Sequence, residues 1–190
     1  NQRKKLSDKG GDNCDVLLMT ATPIPRTLTM TIFGDMDISI IKEKPKSRKS
    51  IKTYSKLESK IDDVIKFISK EIKSNNQIFW VCPLIEESKK IDHSSAVKKF
   101  EYLKKLFPNQ VLLLHGKTNI DEKENILNSF LNNEFKILVS TTIIEVGIDF
   151  PNANVIIIEN ANKFGLSQLH QLRGRVGRGD KDSSCILMFK

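Results

Sequence analysis

Gln168-Leu169-His170-Gln171-Leu172-Arg173-Gly174-Arg175-Val176-Gly177-Arg178-Gly179 links two apolar runs, residues 155–158 and 185–189. Both runs lack polar alternation and read as strands buried on both faces. Residues 167–173 between them read as a helix. Strand, helix, strand is the repeating unit of a parallel sheet covered by helices. The residues after the helix carry a second message: three arginines and three glycines fill positions 173–179 except for Val176. Arg175 and Arg178 supply planar, permanently charged forks suited to phosphate oxygens. Gly174 and Gly177 are expected to remove side chains where a bound polyanion comes close. Gln171 lies four residues before Arg175 and would share its face on a continuous helix.

The same alternation of elements extends upstream. Residues 51–54 are a strand candidate. Residues 58–73 place Ile61, Val64, Ile65, Ile68 and Ile72 at a helical period. Asn75-Asn76 marks a turn, and residues 77–82 form an apolar strand ended by Pro83. A helix is expected over 95–107, stopped by Pro108-Asn109, then a strand at 111–114. The next helix, 121–131, takes Asp121 as N-cap with Glu124 as its reciprocal partner. A strand at 137–140 leads into a short helix-like piece near 143–146. Nearer the start, residues 16–20 read as a buried strand ended by Pro23 and Pro25. Residues 26–33 read as a helix stopped at Gly34, and 37–41 as another short strand. Residues 42–50, basic and containing Pro45, read as a linker.

These elements predict an α/β fold: a three-layer domain with a mostly parallel sheet, helices on both faces and right-handed crossovers. Ligands of such sheets collect at the carboxyl ends of the strands. That edge should hold Thr20-Ala21-Thr22, Cys82-Pro83, His115-Gly116, Thr141-Thr142 and Glu159-Asn160.

Composition narrows the class. The 190 residues suffice for one domain with a full core, or one domain plus a piece of another. A hydrophobic share of 39% and a charged share of 28% fit a soluble globular chain. The net charge of +8 and pI near 9.3 favour acidic partners such as nucleic acid. Lys66, Lys70, Lys73, Lys98, Lys99, Lys104 and Lys105 fall in polar, helix-like stretches and read as solvated faces. Cys14, Cys82 and Cys185 are too widely spaced for a disulfide framework or a zinc site, and a reducing cytosolic setting is expected. No apolar stretch approaches the roughly 18 residues a membrane span needs. The chain starts at Asn1 without methionine and reads as an excised fragment.

Two further blocks carry chemistry. In Thr141-Thr142-Ile143-Ile144-Glu145-Val146-Gly147-Ile148-Asp149 a strand delivers two hydroxyls to the start of a short helix. Free N–H groups and the helix dipole there can hold a phosphate. Gly147 permits close backbone approach, and Asp149 can accept from a ribose hydroxyl. In Thr20-Ala21-Thr22 two hydroxyls flank an alanine just after a strand, which suits a hydrogen-bonded hinge.

Together the three blocks, in this order, resemble motifs III, V and VI of superfamily 2 helicases and translocases. The resemblance runs from about Gln2 to Lys190. It implies a second RecA-like motor domain of the P-loop NTPase type at 51–190, a linker at 42–50, and the C-terminal remnant of a first RecA-like domain at 1–41. Thr20 to Thr27 and Phe164 to Arg178 are similar to two bacterial subfamilies, the RecG-type branched-DNA helicases and the transcription-repair coupling factors. Val81-Cys82-Pro83-Leu84-Ile85-Glu86-Glu87-Ser88 and Glu145-Val146-Gly147 resemble the RecG type.

By that resemblance Arg178 is the arginine finger and Arg175 its companion on the γ-phosphate, with Gln171 coupling them to the domain interface. Gly147 and Asp149 lie by the nucleotide ribose. Thr141, Thr142, His115, Gly116, Lys117, Cys82 and Pro83 face the DNA backbone. Thr20, Ala21 and Thr22 link hydrolysis to movement. ATP and Mg²⁺ are the implied cofactors, held mainly by a first motor domain, because the chain has neither a G-x-x-x-x-G-K-[ST] loop nor the Asp-Glu pair. The fragment alone is expected to lack ATPase activity. Expected partners are branched or double-stranded DNA, the first RecA-like domain and an N-terminal wedge domain of the same protein, with no membrane, in the cytoplasm of a bacterium. The alternatives are a coupling-factor translocase domain, a stand-alone nucleic-acid-binding module, or a regulatory domain that keeps the fold without the chemistry.

Overall fold

The computed structural model describes residues 19, 39–41, 43, 49–83, 89–116, 118–141 and 150–190, with side chains in the second helix described from residue 95. Thr20, Ala21, Thr22, Lys117, Thr142, Gly147 and Asp149 therefore lie outside the described residues. So do the segments 16–18, 26–33, 84–88 and 143–146. The chain divides into two compact units, Asn1–Ile40 and Ile41–Lys190. Residues 39–41 carry no regular structure, so no strand forms over that part of 37–41.

In the second unit β1 (Ile51–Leu57) leads through a 3-10 turn (Glu58–Lys60) into α1 (Ile61–Lys73). β2 (Gln77–Val81), α2 (Lys89–Leu106), β3 (Val111–Leu114), α3 (Ile120–Leu131) and β4 (Ile137–Ser140) follow. β5 (Ala153–Ile158), a 3-10 turn (Ala161–Lys163), α4 (Leu166–Arg173) and β6 (Ser183–Phe189) complete it. Among the described residues every pairing is parallel, in the order β1-β6-β5-β2-β4-β3.

The helices sort by the direction of their crossovers. The connections β1 to β2 and β2 to β3 run one way across the sheet, while β3 to β4 and β5 to β6 run the other. Right-handed crossovers then put α1 and α2 on one face and α3 and α4 on the opposite face. The cores agree. Val64, Ile68, Ala96 and Leu103 from α1 and α2 pack with Ile78, Trp80, Val139 and Ile157. Leu127, Phe130 and Leu172 from α3 and α4 pack with Phe79, Val81, Leu138 and Ile156. Successive residues of β2 thus feed two cores, the period-two geometry of a strand buried on both faces. Phe79, Phe130 and Phe150 close the second core with ring centroids 5.4 to 5.6 Å apart.

Several boundaries differ from the sequence expectation. β1 continues to Leu57 rather than stopping at Tyr54, because Lys52 to Leu57 sit on an exposed edge strand where polar residues are tolerated. α1 accordingly starts at Ile61, after a 3-10 turn. α2 begins at Lys89, well before Ser95. The N-cap of α3 is Asn119, not Asp121: the Asn119 carboxamide oxygen accepts from the Glu122 N–H at 2.7 Å. Asp121 falls inside the first turn, where its charge complements the helix dipole. Asn75, Asn109, Asn133 and Asn160 all take positive φ at element ends, a conformation asparagine tolerates better than most residues.

Candidate functional site

The site candidates fall on opposite edges of the sheet. At the carboxyl edge the Cys82 N–H donates to Ser140 O, Thr141 N–H to Leu114 O at 3.3 Å, and Glu159 N–H to Val81 O. Cys82, Pro83, Thr141, His115 and Gly116 are therefore gathered by neighbouring strand ends, as expected. Gly116 is exposed and His115 half-buried, with Nδ1 3.2 Å from Thr118 Oγ1. Thr141 and Pro83 are buried.

Cys82 corrects an expectation. Its side chain is core, 1% exposed, and its thiol lies 3.7 Å from Glu159 Oε2. Burial, then the Glu159 carboxylate, push its pKa well up, so it stays protonated. Such a group offers a DNA backbone nothing.

Glu159 is the hub of this edge. Its Oε1 accepts from Trp80 Nε1 at 2.9 Å and pairs with Lys99 Nζ at 2.7 Å. The Lys99 ammonium also lies 5.1 Å from the Trp80 ring centroid and 5.3 Å from that of Tyr102. Lys99 is thus not part of a solvated face, unlike the exposed Lys98, Lys104 and Lys105. The available signal was a single carboxylate directly after the six buried residues of β5, since a charge there needs a partner.

The arginine loop lies at the other end of the strands. α4 runs back from the carboxyl edge, so residues 174–182 sit at the amino edge. The Gly177 N–H donates to Ala153 O, the first residue of β5, at 3.4 Å. Asn154 Nδ2 donates to Asn76 Oδ1 at 3.0 Å, Lys181 Nζ to the same oxygen at 3.2 Å, and Ser183 Oγ to Asn154 Oδ1 at 3.3 Å. These bonds fasten the loop exit to the starts of β2 and β5. β5 rises roughly 17 Å between the two edges.

Three readings of the loop change. α4 ends at Arg173, so Gln171 and Arg175 do not share a helical face. Gly174 is the C-cap, with its N–H on His170 O. Gly177 has φ +74°, and an added Cβ would stand 3.1 Å from Ile51 Cγ1 and 3.3 Å from Ser183 Cβ. Its missing side chain makes room for β1 and β6, not for a polyanion. Arg178 and Gln171 are exposed and Arg175 half-buried. Partial burial, and then the neighbouring Arg178 charge, lower the Arg175 pKa. Two guanidinium groups close enough for one charge to act on the other form a local concentration of positive charge of the kind that suits phosphate oxygens. Among the described residues there is no cluster of three metal-ligating side chains, and no helix is long and apolar enough to cross a membrane.

A parallel α/β sheet with this arginine loop before its last strand is the second RecA-like domain of superfamily 2 helicases. The chain belongs to the helicase conserved C-terminal domain family, which matches residues 59–180. It is similar to the ATP-dependent DNA helicase RecG of Bacillus subtilis (strain 168), 52% identical over 98% of this chain and 28% of the relative. RecG of Aquifex aeolicus is 52% identical over 98% of this chain and 24% of the relative. A solved structure of RecG bound to a three-way DNA junction aligns with TM-score 0.73 and 44% identity, covering 89% of this chain and 22% of that one. Domain 2 of the DEAD-box helicase Mss116p bound to an RNA duplex, 23% identical with TM-score 0.52 over 73% of this chain and 54% of that one, shares the fold alone. These relatives do not favour the coupling-factor alternative. The chain spans about a quarter of the length of the curated relatives it matches.

Proposed function

We propose that this chain supplies the second motor domain of an ATP-dependent DNA helicase that acts on branched DNA such as forks and Holliday junctions, in recombination and repair in the bacterial cytoplasm. The observation that carries the reading is the placing of Arg175 and Arg178 together on one amino-edge loop fastened to β2, β5 and β6. Support comes from the RecG relatives and from the RecG structure bound to a three-way junction.

In this reading the amino edge faces a nucleotide. Arg178, which is exposed, aligns with the terminal phosphate, and Arg175 holds an adjacent oxygen. Gly147 and Asp149 lie by the ribose. Bound ATP with Mg²⁺ supplies the free energy of phosphoanhydride hydrolysis, and a first RecA-like domain holds most of it. The opposite edge faces DNA through Thr141, Thr142, His115, Gly116 and Lys117, with the strand end at Pro83 beside them. Thr20, Ala21 and Thr22, in the remnant of the first domain, link hydrolysis to movement, and Gln171 couples the arginines to the domain interface. Between the edges stands a sheet buried on both faces, too closely packed to bend. A displacement imposed at the arginines therefore reaches the DNA edge as rigid-body motion.

The test is Arg178→Ala in the full-length protein. DNA-stimulated ATP turnover should fall by about 10³-fold or more, the usual contribution of a finger residue, while affinity for a forked duplex stays within a few fold. The isolated 190-residue chain should hydrolyse no ATP, with or without DNA. A collapse of DNA affinity in the variant would make Arg178 a DNA ligand, and turnover by the isolated chain would refute the shared site.

A further inference from the structure

We infer that Gly179 is a positioning residue for Arg178, and that a backbone seam between Gly177, Gly179 and residues 151–153 sets the arginine relative to the entry to β5. The inference rests on the function proposed above. Arg178 is flanked by two glycines, and both stand against other segments. A Cβ on Gly179 would lie 2.8 Å from the carbonyl oxygen of Pro151 and 3.7 Å from its carbonyl carbon. The obstacle is backbone rather than a flexible side-chain end. It also cannot move far: Asn152 O accepts from Gln77 N–H at 2.7 Å, and Ala153 O accepts from Gly177 N–H. The segment is thus tied to β2 on one side and to the arginine loop on the other.

The seam therefore joins the loop bearing the arginine to the segment that leads into β5, the central part of the sheet. Any side chain at position 179 must lift the loop, and Arg178 moves with it.

Positioning errors near 1 Å can cost about 10²-fold in rate. In the full-length protein, Gly179→Ala should lower the kcat of DNA-stimulated ATP hydrolysis by about that factor. Affinity for forked DNA should stay within three-fold and the melting temperature within about 5 °C. Gly165→Ala is the control, because a Cβ there meets only Gln168 Oε1, at 3.8 Å, and it should turn over as the parent does. The decisive measurement is the double variant Gly179→Ala with Arg178→Ala. It should be no slower than Arg178→Ala alone, since a residue acting through Arg178 has nothing left to position. Parental turnover in Gly179→Ala, multiplying losses in the double variant, or a melting temperature lowered by more than 10 °C would each overturn the inference. An unaffected Arg178→Ala would instead remove the finger assignment beneath it.

Discussion

The two edges of the sheet hold their candidate residues by different means. At the amino edge two glycines of the arginine loop fit closely against other segments, Gly179 against the Pro151 carbonyl and Gly177 against the Ile51 and Ser183 side chains, and a buried Asn76–Asn154–Ser183 side-chain network fastens its exit. At the carboxyl edge the strand ends are set by side chains gathered around one carboxylate, Glu159, with Trp80, Lys99 and Cys82 as its neighbours. Steric fits this close leave little room for adjustment. Side-chain contacts can be exchanged for contacts with another polar partner. The contrast suits the proposed division of labour, in which the loop meets a reacting phosphate at fixed geometry and the opposite edge holds a sliding polymer.

The largest effect that breaks this comparison is on turnover. Arg178→Ala should reduce ATP hydrolysis by orders of magnitude without loosening DNA. If carboxyl-edge variants reduced turnover at saturating DNA equally, the division between edges would be false. Next comes DNA itself. His115→Ala combined with Lys117→Ala should weaken forked-duplex binding several-fold. It should also lower the salt slope of log K by about one for each phosphate no longer neutralised, while kcat at saturating DNA holds. An unchanged salt slope would move the DNA track elsewhere.

Glu159→Gln sharpens the comparison further. The Glu159 and Lys99 side chains retain only 14% and 20% of their exposure. Losing the charge leaves a half-buried ammonium without its carboxylate, at a cost of about 2 kcal/mol. Urea unfolding of the isolated 190-residue chain would show this as a lower midpoint. Trp80 is its one tryptophan, so its emission should shift in the folded state as well. An unchanged midpoint would mean the hub is decorative. The smallest effect is chemical. Burial pushes Cys185 up to about 11 and Cys82 higher still. Below those values both stay as unreactive thiols, so at pH 8 neither should be alkylated until the domain unfolds.

Much of the fold was legible because strand and helix signals are local. The runs at 77–82, 111–114 and 137–140 have no polar alternation, and each became a strand of the buried sheet. Periodic isoleucines marked α1 in the same way. The errors fell where a neighbour decides the outcome. Asn119 and Asp121 are both good N-cap residues, and only the chain direction leaving β3 selects between them. Lys99 looks like its exposed neighbours until β5 delivers Glu159 to it from sixty positions away. Cys82 sits at the right strand end to touch a ligand, yet the packing of α2 turns it inward.

The sequence by itself determined the elements, the parallel class of the sheet, the arginine-glycine loop and the family it announces. It could do so because hydrophobic period and residue chemistry are written within a few consecutive positions. The strand order, with β6 seated between β1 and β5, was decided only in three dimensions. So were the placement of the arginines at the edge opposite Cys82, Pro83, His115, Gly116 and Thr141, and the use of Gly177 and Gly179 as seats for other segments. Each of these is a contact between segments remote in the chain, and such contacts exist only once the sheet has closed around them.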